Sequence, residues 1–145
     1  MKTKNDWQEI LSQCKSRVDK SIRPCTKTIW DPQPNLGMGA GGDAMKPVDL
    51  AAETAIIDTI KHYDISFTLI SEESGIKKFG ASPESCFVTV DPIDGSTNFM
   101  HGLPFYCCSI AISYLANLTD VYAGMVADLV HDVTYTAFKG KGAYV

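Results

Sequence analysis

Two pairs of acidic residues stand where short apolar runs end: Glu72 and Glu73 after one run, Asp91 and Asp94 after another. Runs of that length read as buried strands, so the spacing predicts four carboxylates at strand ends. Carboxylates bunched in this way repel one another and lose hydration, a penalty that a divalent cation removes. All-oxygen donors suit Mg²⁺ or Mn²⁺ rather than zinc. In Asp91-Pro92-Ile93-Asp94-Gly95-Ser96-Thr97-Asn98-Phe99 the proline stiffens the exit from the strand. The turn can then aim both carboxylates, and the Ile93 carbonyl between them, at one point. Gly95 permits a close backbone approach, and residues 96–99 can open a short helix whose first free N–H groups attract an anion. Metal-holding acids beside an anion site suit metal-assisted phosphoryl transfer to water.

Stepping outward along the chain, Trp7, Ile10, Leu11, Cys14 and Val18 recur at helical spacing and predict a helix over residues 6–21, capped by Asn5 or Asp6 and stopped before Pro24. Residues 30–43, with Pro32, Pro34 and glycines 37, 39, 41 and 42, read as a mobile loop. Between Gly37 and Asp43 it lacks the Gly-Lys-Ser/Thr ending of a P-loop. Pro47 opens a second helix that ends near residues 62–64, with Val48, Ala52, Ala55, Ile56 and Ile60 on its buried face. Asp49 and Glu53 lie one turn apart on another face. Asp49 either complements the helix start or serves the acid cluster, Glu53 reads as a surface residue, and Lys46 fits the site or the surface equally.

Strands are expected over 67–70 and 86–90, with 77–85 as loop, and then over 105–115, 121–127, 133–138 and 143–145 as an antiparallel meander. The fold class is α+β: two helices packed on a mostly antiparallel sheet. One domain of 145 residues with 45% hydrophobic content has enough apolar surface for a core. A net charge of −4 argues against nucleic acid as a partner. The five cysteines show no C-x-x-C pairing and read as reduced thiols of a cytoplasmic protein, with adjacent Cys107 and Cys108 on opposite strand faces. Residues 1–10 lack the apolar stretch of a signal peptide, and no run is long enough for a membrane span. His62, His101 and His131 lack metal-ligand spacing and read as structural; Asp128 and Asp132 read as turn residues.

The run from Asp91 to Phe99 resembles the first signature of the inositol monophosphatase family. Ile70-Ser-Glu-Glu-Ser, Pro47-Val-Asp49-Leu, His101-Gly-Leu-Pro-Phe-Tyr and Lys139-Gly-Lys-Gly-Ala-Tyr are similar to the family in the same order. The resemblance implies the N-terminal half, residues 1–145, of the sugar-phosphatase αβαβα sandwich, carrying metal and phosphate sites. It implies a Mg²⁺-dependent phosphomonoesterase using two or three ions, acting on inositol monophosphate or fructose 1,6-bisphosphate. Glu72, Asp91 and the Ile93 carbonyl would hold the first ion, and Asp91 with Asp94 a second. Asp94, Gly95, Ser96 and Thr97 would bind the substrate, with the N–H groups of Gly95 and Ser96 on its phosphate. Ser96, with Glu72, would orient the attacking water, while Asp49 and Glu73 would stand in the outer shell. Lithium sensitivity and a homodimer are further family expectations, as is a lid made by the loop before Lys46.

Two departures accompany the match. Ser96 stands where the family often has Thr, which keeps the hydroxyl. Family members exceed 200 residues, and their second half carries a Trp-Asp signature that completes the second metal site; this chain is expected to be a fragment or to obtain those groups elsewhere. Rival readings are a 3′(2′),5′-bisphosphate nucleotidase of the same superfamily and a non-catalytic metal-binding module. A glycosidase is disfavoured, because acids three apart in one turn do not flank a sugar.

Overall fold

The computed structural model describes residues 6–145. Helix α1 (Trp7–Ile22) is capped by Asp6, whose carboxylate accepts the N–H groups of Gln8 and Glu9; Asn5, the alternative cap, lies outside the described residues. The helix ends at Ile22, ahead of Pro24 as expected, and the chain passes into a 3₁₀ segment at Arg23–Lys27, where Pro24 lacks only an N–H that a helix opening does not need. Helix α2 (Pro47–His62) has proline in its first turn, as expected.

The strands are β1 (Phe67–Ser71), β2 (Gly75–Phe79), β3 (Phe87–Asp94), β4 (Cys107–Ser113), β5 (Val121–Asp128), β6 (Val133–Phe138) and β7 (Gly142–Tyr144), with helix α3 (Ser96–Met100) between β3 and β4. They form one sheet in the order β2-β1-β3-β4-β5-β6-β7. Among the described residues only β1 and β3 run parallel; the other pairs are antiparallel. Two helices on a mostly antiparallel sheet is the expected architecture.

The core is the helix-facing side of that sheet. Helices α1 and α2 pack on each other, with α2 against β3 and α1 against β5. Trp7, Ile10, Leu11, Cys14 and Val18 of α1 are buried, and they join Val88, Ile110, Ile112 and Met125 in one cluster. Trp7 also donates its indole N–H to the Tyr114 hydroxyl at 3.0 Å. Alternate residues face away, so Cys108 is buried while Cys107 is half-exposed. All five cysteines are free thiols. Among the described residues no helix is long and apolar enough to cross a membrane.

Three boundaries differ from expectation. Residues 75–79 pair with β1 as an edge strand, so that 77–79 are strand where loop was expected: Lys77 and Lys78 hide the alternation, and the strand is held by backbone pairing and by Phe79 stacked on Phe67 at 4.9 Å. Strand β3 runs on to Asp94 through a register shift between Asp91 and Asp94, where Pro92 cannot donate. Strand β4 starts at Cys107, and Phe105, expected inside it, is 79% exposed.

Candidate active site

The two acid pairs meet because β1 and β3 are parallel neighbours. Ser71 lies opposite Val90, so Glu72 and Asp91 leave the same end of the sheet side by side. The Glu72 N–H donates to the Val90 carbonyl at 3.3 Å. With Glu72 beside it, Asp91 has its pKa pushed up to about 7. Burial is the first cause, followed by Glu72 and the charges of Asp94 and Asp49. Glu73 is likewise raised to about 7, by burial and by Asp49, Glu72 and Glu53, against a partial offset from Lys46.

Asp94 is exposed at the end of β3. Gly95 follows at φ +90°, and a Cβ there would sit 2.8 Å from the Phe105 carbonyl oxygen, so only glycine fits. That turn opens α3 at Ser96, with Thr97 exposed in its first turn. Ile93 is buried by its side chain, leaving its backbone in the bulge between the two aspartates. The His101 ring contacts the Thr97 carbonyl at 2.8 Å, and Asp128 holds the Val130 and His131 N–H groups. Both are local structural roles, as their spacing suggested.

Helix α2 closes the cluster from behind. Asp49 is fully buried and accepts the Lys46 N–H at 3.0 Å, so it caps the helix. Its second oxygen has no hydrogen-bond partner. Burial raises its pKa, and Lys46 and Ser96 offset this only in part. Asp49 thus both completes the helix start and faces the acids. Lys46, which the sequence left undecided, points its ammonium at the Ser96 hydroxyl at 3.2 Å. Glu53, expected on the surface, is only 3% exposed. No local pattern announced this, because its partners Ser74 and Lys77 lie on the β1–β2 hairpin.

The glycine-rich loop is docked on the acid turn. Gly41 N–H donates to the Glu72 carbonyl at 2.7 Å, Ala40 to the Glu73 carbonyl at 2.9 Å, and Gly39 to Asp43 at 2.7 Å. A Cβ on Gly41 would lie 2.7 Å from the Glu72 side chain, so these glycines allow backbone to lie against carboxylates.

As the side chains lie, no three acidic, histidine or cysteine groups among the described residues are grouped closely enough to hold one ion. The chemistry nevertheless fits a hard divalent cation. The donors are oxygens, Glu72 and Asp91 stand side by side, and one buried carboxylate oxygen of Asp49 lacks a hydrogen-bond partner. Mg²⁺ keeps several waters and needs only one or two protein carboxylates.

Comparison with known proteins places this arrangement among related chains. The model of the family described as "Inositol monophosphatase family" matches residues 26–145. A fructose-1,6-bisphosphatase/inositol-1-monophosphatase of Methanothermobacter thermautotrophicus is 31% identical, over 96% of this chain and 52% of that protein. A bifunctional NADP phosphatase/NAD kinase of Methanococcus maripaludis is 30% identical, over 96% of this chain and 26% of that protein. A crystal structure of an inositol monophosphatase–fructose 1,6-bisphosphatase superposes with TM-score 0.81 at 28% identity, covering 97% of this chain and 52% of the other. The chain therefore spans about half the length, or less, of these relatives.

Proposed function

The chain belongs to the inositol monophosphatase family, and on that premise we propose that its acid cluster serves Mg²⁺-dependent hydrolysis of a phosphate monoester of a small polyol or sugar. The observation that carries the proposal is the pair Glu72 and Asp91, brought side by side by the parallel pairing of β1 with β3, with Asp91 pushed up to about 7 by burial and the neighbouring acids. Such a pair is poorly suited to stand empty and well suited to a dication.

Glu72, Asp91, Asp94 and the Ile93 carbonyl would hold two or three Mg²⁺ ions, with Mn²⁺ as a substitute. When bound, the metal supplies charge stabilisation for the phosphoryl oxygens and acidifies water. The remaining work falls to the chain. Gly95, Ser96 and Thr97 present the start of α3 to the phosphate. The Ser96 hydroxyl, which accepts a hydrogen bond from the Lys46 ammonium, would orient the attacking water together with Glu72. Asp49 and Glu73 orient the water shell from behind. Lithium inhibition through Asp94, a homodimer and a cytoplasmic location belong to the same proposal, as family expectations.

A nucleotide substrate is the second reading, supported by the 30% identity to a protein named an NADP phosphatase. A third is a binding module without turnover. Val126 and Tyr135, 43% and 52% exposed on the sheet side away from the helices, leave a face of that kind open.

The test is phosphate release with Mg²⁺ from inositol 1-phosphate, fructose 1,6-bisphosphate, NADP and 3′-phosphoadenosine 5′-phosphate, beside Asp94→Asn. Release from either of the first two that needs Mg²⁺ and is lost in the variant supports the polyol or sugar reading. Release from the nucleotides alone supports the second. Folded protein that binds Mn²⁺ and releases nothing is the third, and protein that binds no divalent ion sinks the proposal.

A further inference from the structure

We propose that Glu53 is a positioning residue, a buried carboxylate that fixes the turn carrying Glu72 and Glu73 and thereby sets the affinity of the site for a divalent cation. The inference rests on the metal-site assignment above and extends it to a residue that does not touch the ion.

Glu53 lies one helical turn beyond Asp49 on α2, and both are buried. A carboxylate placed in a core is destabilising by several kcal/mol unless it is hydrogen-bonded and paired. Glu53 has both kinds of partner, and both come from one hairpin. The Ser74 hydroxyl donates to its Oε1 at 2.7 Å, and the Lys77 ammonium stands 3.8 Å from its Oε2. Ser74 is the residue after Glu73, and Lys77 sits in β2, opposite Leu69 of β1.

The same turn is held on its other side by the docked loop, through the Ala40 and Gly41 N–H groups on the Glu73 and Glu72 carbonyls. The turn is therefore clamped between a loop that grips its backbone and a helix that grips its side chain. Ser71 completes the grip by accepting the Glu73 N–H at 3.1 Å.

A residue needed only to fill this space would be better served by an uncharged side chain. Displacing a ligand turn by a fraction of an ångström is enough to weaken a hard-cation site, because such sites depend on geometry.

The experiment is a Mn²⁺ titration of this chain, followed by electron paramagnetic resonance of the free ion, on wild type, Glu53→Gln, Glu53→Ala, Ser74→Ala and the Glu53→Ala/Ser74→Ala double variant. Metal-free thermal unfolding is recorded for each. Glutamine keeps an acceptor for Ser74 and is expected to stay within about threefold of the wild-type Kd, whereas Glu53→Ala weakens binding roughly tenfold. Ser74→Ala reproduces that loss, and the double variant is no weaker than either single one, because all three remove the same bond. Ser74 is a turn residue, so its variant remains informative if Glu53→Ala does not fold. Wild-type affinity in Ser74→Ala overturns the inference, as do losses that add in the double variant. Wild-type protein that binds no Mn²⁺ overturns the metal-site assignment and this inference with it.

Discussion

The helix-facing side of the sheet and the acid-bearing end of β1 and β3 follow opposite rules. On the first, Trp7, Ile10, Leu11, Val88, Ile110 and Ile112 are essentially inaccessible to solvent. Packing there lowers the free energy with no partner required. At the second, Asp49, Glu73 and Asp91 are all held above the usual carboxylate range by burial and by one another. The contrast teaches that one region stabilises the fold while the other draws on that stability to keep like charges together.

The largest expected effect breaks the first region alone. Trp7→Ala removes a buried indole and its bond to Tyr114, and should lower stability by about 3–5 kcal/mol in denaturant titration. Because Trp7 lies on the core side, Mn²⁺ affinity of the folded fraction should be unchanged; a matching loss of affinity would mean that the two regions are not separable. Next comes the junction. Gly95→Ala forces a Cβ into a positive-φ turn against the Phe105 carbonyl, which should destabilise by about 1–3 kcal/mol and weaken metal binding together.

A smaller effect sharpens the comparison from the electrostatic side. Asp91 and Glu73 titrate near 7 in the fold and near 4 when unfolded. Between those values the folded state holds more protons, so the metal-free protein should lose stability as pH rises from about 4 to about 7 and level off above. Thermal unfolding across that range checks the sign, and saturating Mg²⁺ should flatten or reverse the slope. The smallest shift is that of Asp91→Asn. It should reduce the pH slope and raise the metal-free melting temperature by a few degrees, while abolishing any rise on adding Mg²⁺. A variant less stable than wild type at pH 8 without metal would contradict the picture of an overcharged cluster.

Much of this molecule was legible in local pattern. The helical stripe of α1 and the strands of the meander follow from side-chain periodicity, and the turn from Asp91 to Phe99 follows from proline, glycine and acids in a fixed order. Strand β2 was not legible: its lysines carry no alternation, and its partner is chosen by hairpin closure. Glu53 was misread because a single acid on a helix looks solvated until the hairpin that buries it is in place. The glycines between Gly37 and Asp43 signalled a loop, but not that its N–H groups would dock on Glu72 and Glu73.

The sequence by itself determined which residues are acids, which turns are tight and which faces are apolar, since backbone sterics and side-chain period act over a few residues. Only the tertiary structure decided that Glu72 stands beside Asp91, that Lys46 reaches Ser96 fifty residues away, and that Asp49 and Glu53 are buried behind them. Those neighbours come from the parallel pairing of β1 with β3 and from the seat of α2 on the sheet. Such long-range pairings are fixed by burial of the whole core, not by any local run of residues.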